Sequence, residues 1–495
     1  MAESLADPGA EQTGSAPSAL PPLAVCQQAR LSRDPRFDGR FFVGVLTTGI
    51  YCRPICPARI PREDNVQYYA NAASAQDAGF RPCRRCRPEA ARRLPEWTLG
   101  SDTVMRGLRL IEAGFLNGHT TVELARELAV GDRQLTRLFA QELGTSPKSV
   151  ARLNRAKLAK NLLTGTRTAL VQVAYHAGYG SVSRFNHEIR QIFQCTPREL
   201  RAQAGQQAVA TTVQIKLPIR PPYDFDWMFS YLQKRALRGV EEVTGGPGNW
   251  CYRRLLERAG DTSLWLDVCL RGDELIARVP LVDEPLHSLL NRVRRVFDLN
   301  ADGATLHEFF SADARLGPWA EKAPGLRVPG AWDGFETTIR AVLGQQVSVA
   351  RGTELANKMI VSYGEGLFPT ARQLLGREVA ELGMPGRRGR AVVRLAEMVV
   401  AGDLVIDECQ DFDDLQQQLQ AVDGIGPWTA NYVRMRALKD PNAFPDNDWV
   451  VLKELQCTAA KARQQAQAWQ PWRAYALMYL WYAAGVKRAA GKKLK

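Results

Sequence analysis

The chain has 495 residues, 45% hydrophobic and 24% charged, which suits about three packed domains of roughly 150 residues and excludes a wholly disordered polymer. No apolar run approaches the roughly 18 residues of a membrane span, and no basic stretch followed by an apolar core opens the chain, so neither a membrane nor a secreted protein is expected. The net charge of +13 sits at the front: residues 30–100 carry 13 Arg against 7 acids, residues 101–205 carry 15 basic against 8 acidic residues, and residues 206–495 net only +3. That is the electrostatic footprint of a phosphate binder, with a solvated basic face as the plainer alternative.

Residues 1–24, rich in Ala, Gly, Ser and Pro, read as a disordered tail. Of ten cysteines, four cluster as Cys52-x3-Cys56, then 26 residues, then Cys83-x2-Cys86. Two close pairs joined by one loop fit one tetrahedral Zn2+ with four thiolate ligands; two disulfides are the alternative, which the intracellular expectation disfavours. Cys26, Cys195, Cys251, Cys269, Cys409 and Cys457 are scattered through apolar or amphipathic stretches and are expected as reduced, mostly packed thiols. Arg53, Arg59, Arg81, Arg84, Arg85 and Arg87 crowd the cluster. Four thiolates around Zn2+ carry a formal charge of −2, so the sulfur is electron-rich in a phosphate-attracting setting.

The run FFVGVLTTGIYCRPICPARIPREDNVQYYANAASAQDAGFRPCRRCRPE resembles the N-terminal domain of Ada-type DNA repair regulators, over about residues 25–95. The resemblance implies that Cys52 accepts a methyl group from a DNA phosphotriester and that Cys56, Cys83 and Cys86 are the remaining zinc ligands. It also implies that Thr48, Arg59, Arg81 and Arg85 contact the DNA backbone. Methylation would make one thiolate a neutral thioether and take the centre from −2 to −1, which raises its affinity for phosphate. Nothing in the site regenerates the thiolate, so the transfer is expected to be stoichiometric.

From 101 to 202 the pattern is helical. TVELARELAV-GD-RQLTRLFAQELG has Gly131 in its turn, and VQVAYHAGYGSVSRFNHEIRQIFQCTPREL has Gly178 and Gly180 before a new helix at Ser181. Each pairs an apolar-periodic helix with a polar, Arg-bearing one across a short turn, as a helix-turn-helix does; a plain helical hairpin is the alternative for one copy. Two copies joined by the basic ARLNRAKLAKNLL resemble the AraC-family DNA-binding domain. The candidates for the major groove are Arg133, Gln134 and Arg137 in the first copy and Ser183, Arg184 and His187 in the second, since Arg suits guanine and Gln suits adenine. His187 equally fits a phosphate contact or a solvated position.

Residues 203–212 read as a linker. Strand-like stretches follow, among them Val213–Leu217 and Ser263–Leu270, and from about 303 to 488 the chain is helical again. In VDGIGPWTANYVRMRAL, Gly424 and Gly426 permit a tight turn whose backbone N–H groups face a phosphate. Asp448 follows within FPDNDWVVLKEL, with Asp446 as the rival carboxylate and a helix cap as the bland role for either. This is the pattern of helix-hairpin-helix DNA glycosylases. Together with residues 221–243, 328–352, 382–392 and 469–482, the hairpin resembles the AlkA family of 3-methyladenine glycosylase II over about residues 211–488.

That resemblance implies catalysis by Asp448, a base pocket of Trp428, Tyr432 and Trp481, and a wedge at Gln346 where the best-known member has an apolar residue. It also implies a monovalent cation on the hairpin carbonyls of Gln420, Val422 and Ile425. Trp469 and Trp472 are expected in the core. Trp428 stands about where glycosylases that also cut the backbone carry a lysine, so a monofunctional enzyme is expected. Only Cys457 lies beyond the hairpin, which excludes a four-cysteine iron–sulfur loop there. The PCHR motif of O6-alkylguanine methyltransferases is missing from the sequence.

The expected fold is multidomain: a tail (1–24), a small α+β zinc domain (25–95), an all-α double helix-turn-helix domain (96–205), an α+β domain (211–300), an all-α helix-hairpin-helix glycosylase domain (301–488) and a basic tail (489–495). The expected function joins methylphosphotriester sensing and transcription activation to excision of alkylated purines. The alternative is a regulator whose glycosylase-like half only docks on DNA. The expected partners are damaged and promoter double-stranded DNA and RNA polymerase, with no membrane. A monomer in the bacterial cytoplasm, at the nucleoid, is expected.

Overall fold

The computed structural model describes residues 20–493 except 35–36, 39, 84, 87, 89–101, 203–211, 218, 260–261 and 407–411. Most of the expected tail and linker, together with Arg84, Arg87 and Cys409, therefore lie outside the described residues. Two compact units divide the chain. The first takes residues up to 111 with 119–154 and 191–194; the second takes 112–118, 155–190 and 195 onward.

The first unit holds a four-stranded sheet of β1 (Phe42–Val45), β2 (Ile50–Cys52), β3 (Val66–Tyr69) and β4 (Arg81–Pro82), in the order β3-β1-β2-β4. β4 runs parallel to β2, so both strands deliver their ends to the same edge. Phe42, Tyr51, Phe80, Leu153 and the alanines of the helix Ala72–Asp77 form a small core. Gly44 is required there, because a Cβ would stand 2.8 Å from the Tyr69 ring and 3.0 Å from Phe80. So little apolar area needs a metal to help hold it.

The first helix-turn-helix packs in the same unit, as helices Thr121–Glu127 and Asp132–Leu143. Thr120 and Glu123 form a reciprocal capping box at its start. Gly131 lies in the turn as expected, where it is the N-cap of the second helix, and Ala129 in the same turn takes the left-handed conformation at φ 54°. Leu124, Leu135 and Phe139 of these two helices are fully buried.

The other helix-turn-helix is formed by helices Leu170–His176 and Val182–Phe193, which belong to the second unit up to residue 190. Here Gly178 takes the left-handed position at φ 86°. Five antiparallel strands follow: β5 (Thr212–Leu217), β6 (Glu241–Thr244), β7 (Cys251–Ala259), β8 (Thr262–Arg271) and β9 (Glu274–Pro280), ordered β5-β9-β8-β7-β6. β5 alternates buried and exposed residues, and the helix Leu286–Val296 buries Leu286, Leu289, Leu290, Val293 and Val296, so each element shows the period of its own geometry.

One cysteine expectation is corrected: Cys251 and Cys269 are joined by a disulfide. They lie 18 residues apart in sequence, and the antiparallel register of β7 and β8 places them directly opposite each other. Cys26 and Cys195 are buried and Cys457 is half-buried, and none of the three is in a disulfide.

The remainder is helical. Helices Phe412–Gln420 and Pro427–Ala437 form the hairpin, and the helix Trp449–Leu455 follows it. The basic C-terminal segment is not a separate tail, because the closing helix runs from Arg473 to Lys493. Its Ala, Lys and Arg residues favour helix, and Lys487 is tied to Glu454 at 2.5 Å. No helix among the described residues is long and apolar enough to cross a membrane.

Candidate functional site

The first centre lies where β2 and β4 end. Cys52 closes β2, and the Cys83 amide donates to Tyr51 O at 2.9 Å, one residue past β4. Cys56 closes a turn on Arg53 O (3.1 Å), and the Arg53 amide donates to Cys86 Sγ (3.4 Å). All four sulfurs lie within 4.8 Å of one another; Cys83 and Cys86 are buried, and Cys52 and Cys56 are half-buried.

Hydrogen bonds couple the Cys52, Cys56 and Cys86 thiols to one another. Hydrogen bonds from Cys52 and Cys86 pull the Cys56 thiol down to about 2, while the bond to Cys56 pushes Cys52 far up. Only a cation shared by the four sulfurs lets them ionise together, so the donor set fits one Zn2+.

Of the arginines expected to crowd this centre, Arg53 is committed: its guanidinium is clasped by Asp38, with Nε to Oδ1 at 2.6 Å. Arg59 and Arg85 are exposed, Arg81 is half-buried, and Thr48 sits exposed in the turn between β1 and β2. Farther along, Arg133, Gln134, Arg137, Ser183, Arg184 and His187 are all exposed at the fronts of their helices. Arg184 Nε reaches Glu188 at 3.0 Å.

The second centre is Asp448. It caps the helix Trp449–Leu455, with Oδ1 accepting from the amides of Val450 (2.9 Å) and Val451 (3.1 Å). The cap is only part of its environment. Trp428 Nε1 donates to Oδ2 at 2.9 Å and Trp481 Nε1 donates to Oδ1 at 3.2 Å. The carboxylate is 7% exposed and accepts four N–H groups from three separate elements. The rival Asp446 is paired with Arg463 at 2.5 Å.

Trp428 stacks on Tyr432, with ring centroids 5.2 Å apart and planes 13° from parallel. Sequence reasoning missed what holds Tyr432. Arg436 donates to both Tyr432 OH (2.6 Å) and Tyr231 OH (2.5 Å). Burial raises the Tyr432 phenol, but Arg436 and Arg235 outweigh it and leave the group below its ordinary value. Tyr231 lies 205 residues from Arg436, too far for any spacing rule to find. Trp469 is buried in the core and bonded to Asp313, and Trp472 is half-buried against the same core cluster.

In the hairpin turn Gly424 takes φ 93°, and Gly426 is the N-cap of the helix Pro427–Ala437 with Pro427 at its first position. Glycine and proline therefore stand where a tight turn and a helix start need them. The Val422 carbonyl accepts the Ile425 amide at 3.0 Å within that turn. Gln346, 78 residues upstream of Gly424, is exposed at φ 54°.

A glycine-bearing hairpin turn with a buried carboxylate and stacked aromatics in the same unit is the arrangement on which the comparison with known glycosylases rests. Here it shares one chain with a four-cysteine metal module and two helix-turn-helices, which makes the protein a regulator–repair fusion. Comparison with known proteins gives the family. The model for the metal-binding domain of Ada matches residues 25–89, a helix-turn-helix domain model matches 124–203, and the AlkA N-terminal domain model matches 214–333.

The chain is 37% identical to a probable bifunctional transcriptional activator/DNA repair enzyme AlkA of Mycobacterium tuberculosis, across 92% of this chain and 95% of that one. It is 33% identical to DNA-3-methyladenine glycosylase 2 of Escherichia coli over 54% of this chain and 96% of that protein. It is 35% identical to the Escherichia coli bifunctional activator/repair enzyme Ada over 35% of this chain and 48% of that protein. The chain belongs to the family of bifunctional transcriptional activator/DNA repair enzymes that join an Ada-type zinc domain and a helix-turn-helix region to an AlkA-type glycosylase.

Proposed function

We propose that the protein reads and repairs alkylated DNA with two independent chemistries, divided along the segments 25–95, 96–205, 211–300 and 301–488. Bound Zn2+ would keep the four sulfurs deprotonated and packed. Cys52 attacks the methyl carbon of a methylphosphotriester; the S–C bond forms, the C–O bond breaks, and a phosphodiester leaves. Thr48, Arg59, Arg81 and Arg85 hold that backbone. Cys52 is left a neutral thioether, and the protein, one negative charge poorer at that centre, binds operator DNA more tightly, with Arg133, Gln134, Arg137, Ser183, Arg184 and His187 reading the sequence. Activation then proceeds by contact with RNA polymerase. The protein acts as a monomer in the bacterial cytoplasm, at the nucleoid.

The second chemistry rests on one observation, the buried Asp448 carboxylate held by two indoles and a helix start beside the Trp428–Tyr432 stack. N-alkylated purines such as 3-methyladenine and 7-methylguanine are cations with a weakened glycosidic bond. The base flips out, Gln346 fills the gap, and the hairpin at Gly424 and Gly426 grips the backbone, with a monovalent cation on its carbonyls. The stacked rings and Trp481 favour a cationic base by about 0.5–2 kcal/mol. As the C1′–N bond breaks, its electrons neutralise the departing base. Asp448 stabilises the sugar cation and takes the proton of the water that adds to C1′.

Trp428 supplies no amine, so no Schiff base forms and the enzyme is monofunctional. Excision from methylated duplex DNA, with Asp448→Asn as control, tests the reading. Strand scission through a borohydride-trappable adduct would contradict the monofunctional claim, and wild-type release by Asp448→Asn would overturn the assignment.

A further inference from the structure

The exposed loop that carries Gln346 is held from several sides. It joins the helix Gly334–Leu343, which ends at Gly344, to the helix Val349–Tyr363, which is capped by Ser348 accepting from the Arg351 amide at 3.2 Å. The two helices pass so closely that a Cβ on Gly352 would stand 3.2 Å from Gly344 Cα. Between them Gln346 sits at φ 54°, a conformation that side chains other than glycine adopt only when their surroundings impose it.

The surroundings that impose it come from two other elements. Arg388, buried in the first turn of the helix Gly386–Ala401, donates Nη2 to Gln345 O at 2.6 Å. The Gln345 side chain turns the other way, and its Nε2 donates to Gly424 O (3.0 Å) and to Thr429 Oγ1 (2.9 Å) in the hairpin. Gly424 closes the arrangement, since a Cβ there would lie 3.4 Å from Ala391 Cβ on the Arg388 helix. Wedge loop, hairpin turn and Arg388 helix thus meet through one glutamine and one arginine.

We propose that Arg388 and Gln345 are positioning residues that hold Gln346 ready for insertion before DNA arrives and lock it to the hairpin that grips the backbone. This rests on the reading of Gln346 as the wedge. A glutamine gains less from entering a base stack than an apolar side chain, and it loses more rotamer freedom on ordering. Fixing its backbone in advance removes part of that ordering cost from the flipping step. Because Gln345 bonds the hairpin itself, phosphate grip and insertion act as one rigid event.

The test is single-turnover release of 7-methylguanine by the full-length protein in two contexts, the lesion paired with cytosine and the lesion opposite an abasic site, where opening the stack costs less. Gln346→Ala should slow the paired reaction about tenfold and the unpaired one far less. Arg388→Met and Gln345→Ala should reproduce that context-specific loss, about five- to tenfold. Added to Gln346→Ala, neither should slow the reaction further, because a brace has no role once the wedge is gone.

Equal losses in both contexts, additive losses on the Gln346→Ala background, or wild-type rates would overturn the proposal. A Gln346→Ala protein without the paired-context loss sinks the wedge reading instead, which is a separate failure. Should Arg388→Met fail to fold, Gln345→Ala and Arg388→Lys carry the same measurement.

Discussion

The four-sulfur centre and the Asp448 pocket each gather acidic groups out of solvent, and they hold them by different means. At the ends of β2 and β4 the sulfurs crowd within 4.8 Å and need a cation to share their charge. At the helix start Trp449–Leu455 a single carboxylate is held by four N–H groups and needs no ion. The difference fits the role proposed for each group. A thiolate that forms a covalent bond is consumed, so its charge can be read out afterwards as a signal. A carboxylate that stabilises a transient cation is returned unchanged, and its neighbours serve turnover.

The comparison breaks most visibly if the metal is removed. Chelation or Cys83→Ser should release one zinc, a loss on the order of 10 kcal/mol to that module. Methyl uptake and operator binding should disappear while glycosylase activity persists. Metal analysis beside an excision assay checks this; an intact, zinc-free module holding Cys52–Cys56 and Cys83–Cys86 disulfides would refute the thiolate centre.

Asp448→Asn tests the other centre. Excision should fall by about 10³-fold or more, roughly 4 kcal/mol, with DNA binding largely kept. Cys52→Ser should do the reverse, abolishing methyl uptake and leaving excision unchanged. Loss of both activities in either variant would mean that the two chemistries are not independent.

Trp428→Phe keeps the stack on Tyr432 but removes one indole donor from Asp448. A hydrogen bond to a charged group is worth about 1.5–3 kcal/mol, so excision should slow by about ten- to a hundredfold. An unchanged rate would show that the indole serves packing alone.

The smallest effect is the signal itself. Methylation of Cys52 should raise operator affinity by about 1–3 kcal/mol, roughly ten- to hundredfold at low salt, and the gain should shrink as salt rises. Binding isotherms of methylated and unmethylated protein across ionic strength measure it. A methyl group mapped to another cysteine, or a gain insensitive to salt, would overturn the electrostatic switch.

The sequence by itself determined much of this. Cysteine spacing picked out the metal ligands, because neighbouring ligands must come from short turns. Glycine and proline marked the hairpin, because tight turns and helix starts select those residues. The glycosylase resemblance pointed to Asp448, and the plainer reading of that aspartate as a helix cap is what its Oδ1 shows.

Only the tertiary structure decided which groups meet across long stretches of chain. It brought Trp481 onto Asp448, Arg436 between Tyr231 and Tyr432, Asp38 onto Arg53, and Cys251 opposite Cys269. It also placed a left-handed φ on Ala129, in the turn that Gly131 closes as a helix N-cap. Local spacing constrains what one turn of helix or one strand can do. Strand register and the packing of distant helices depend on the whole core, which no short window of sequence contains.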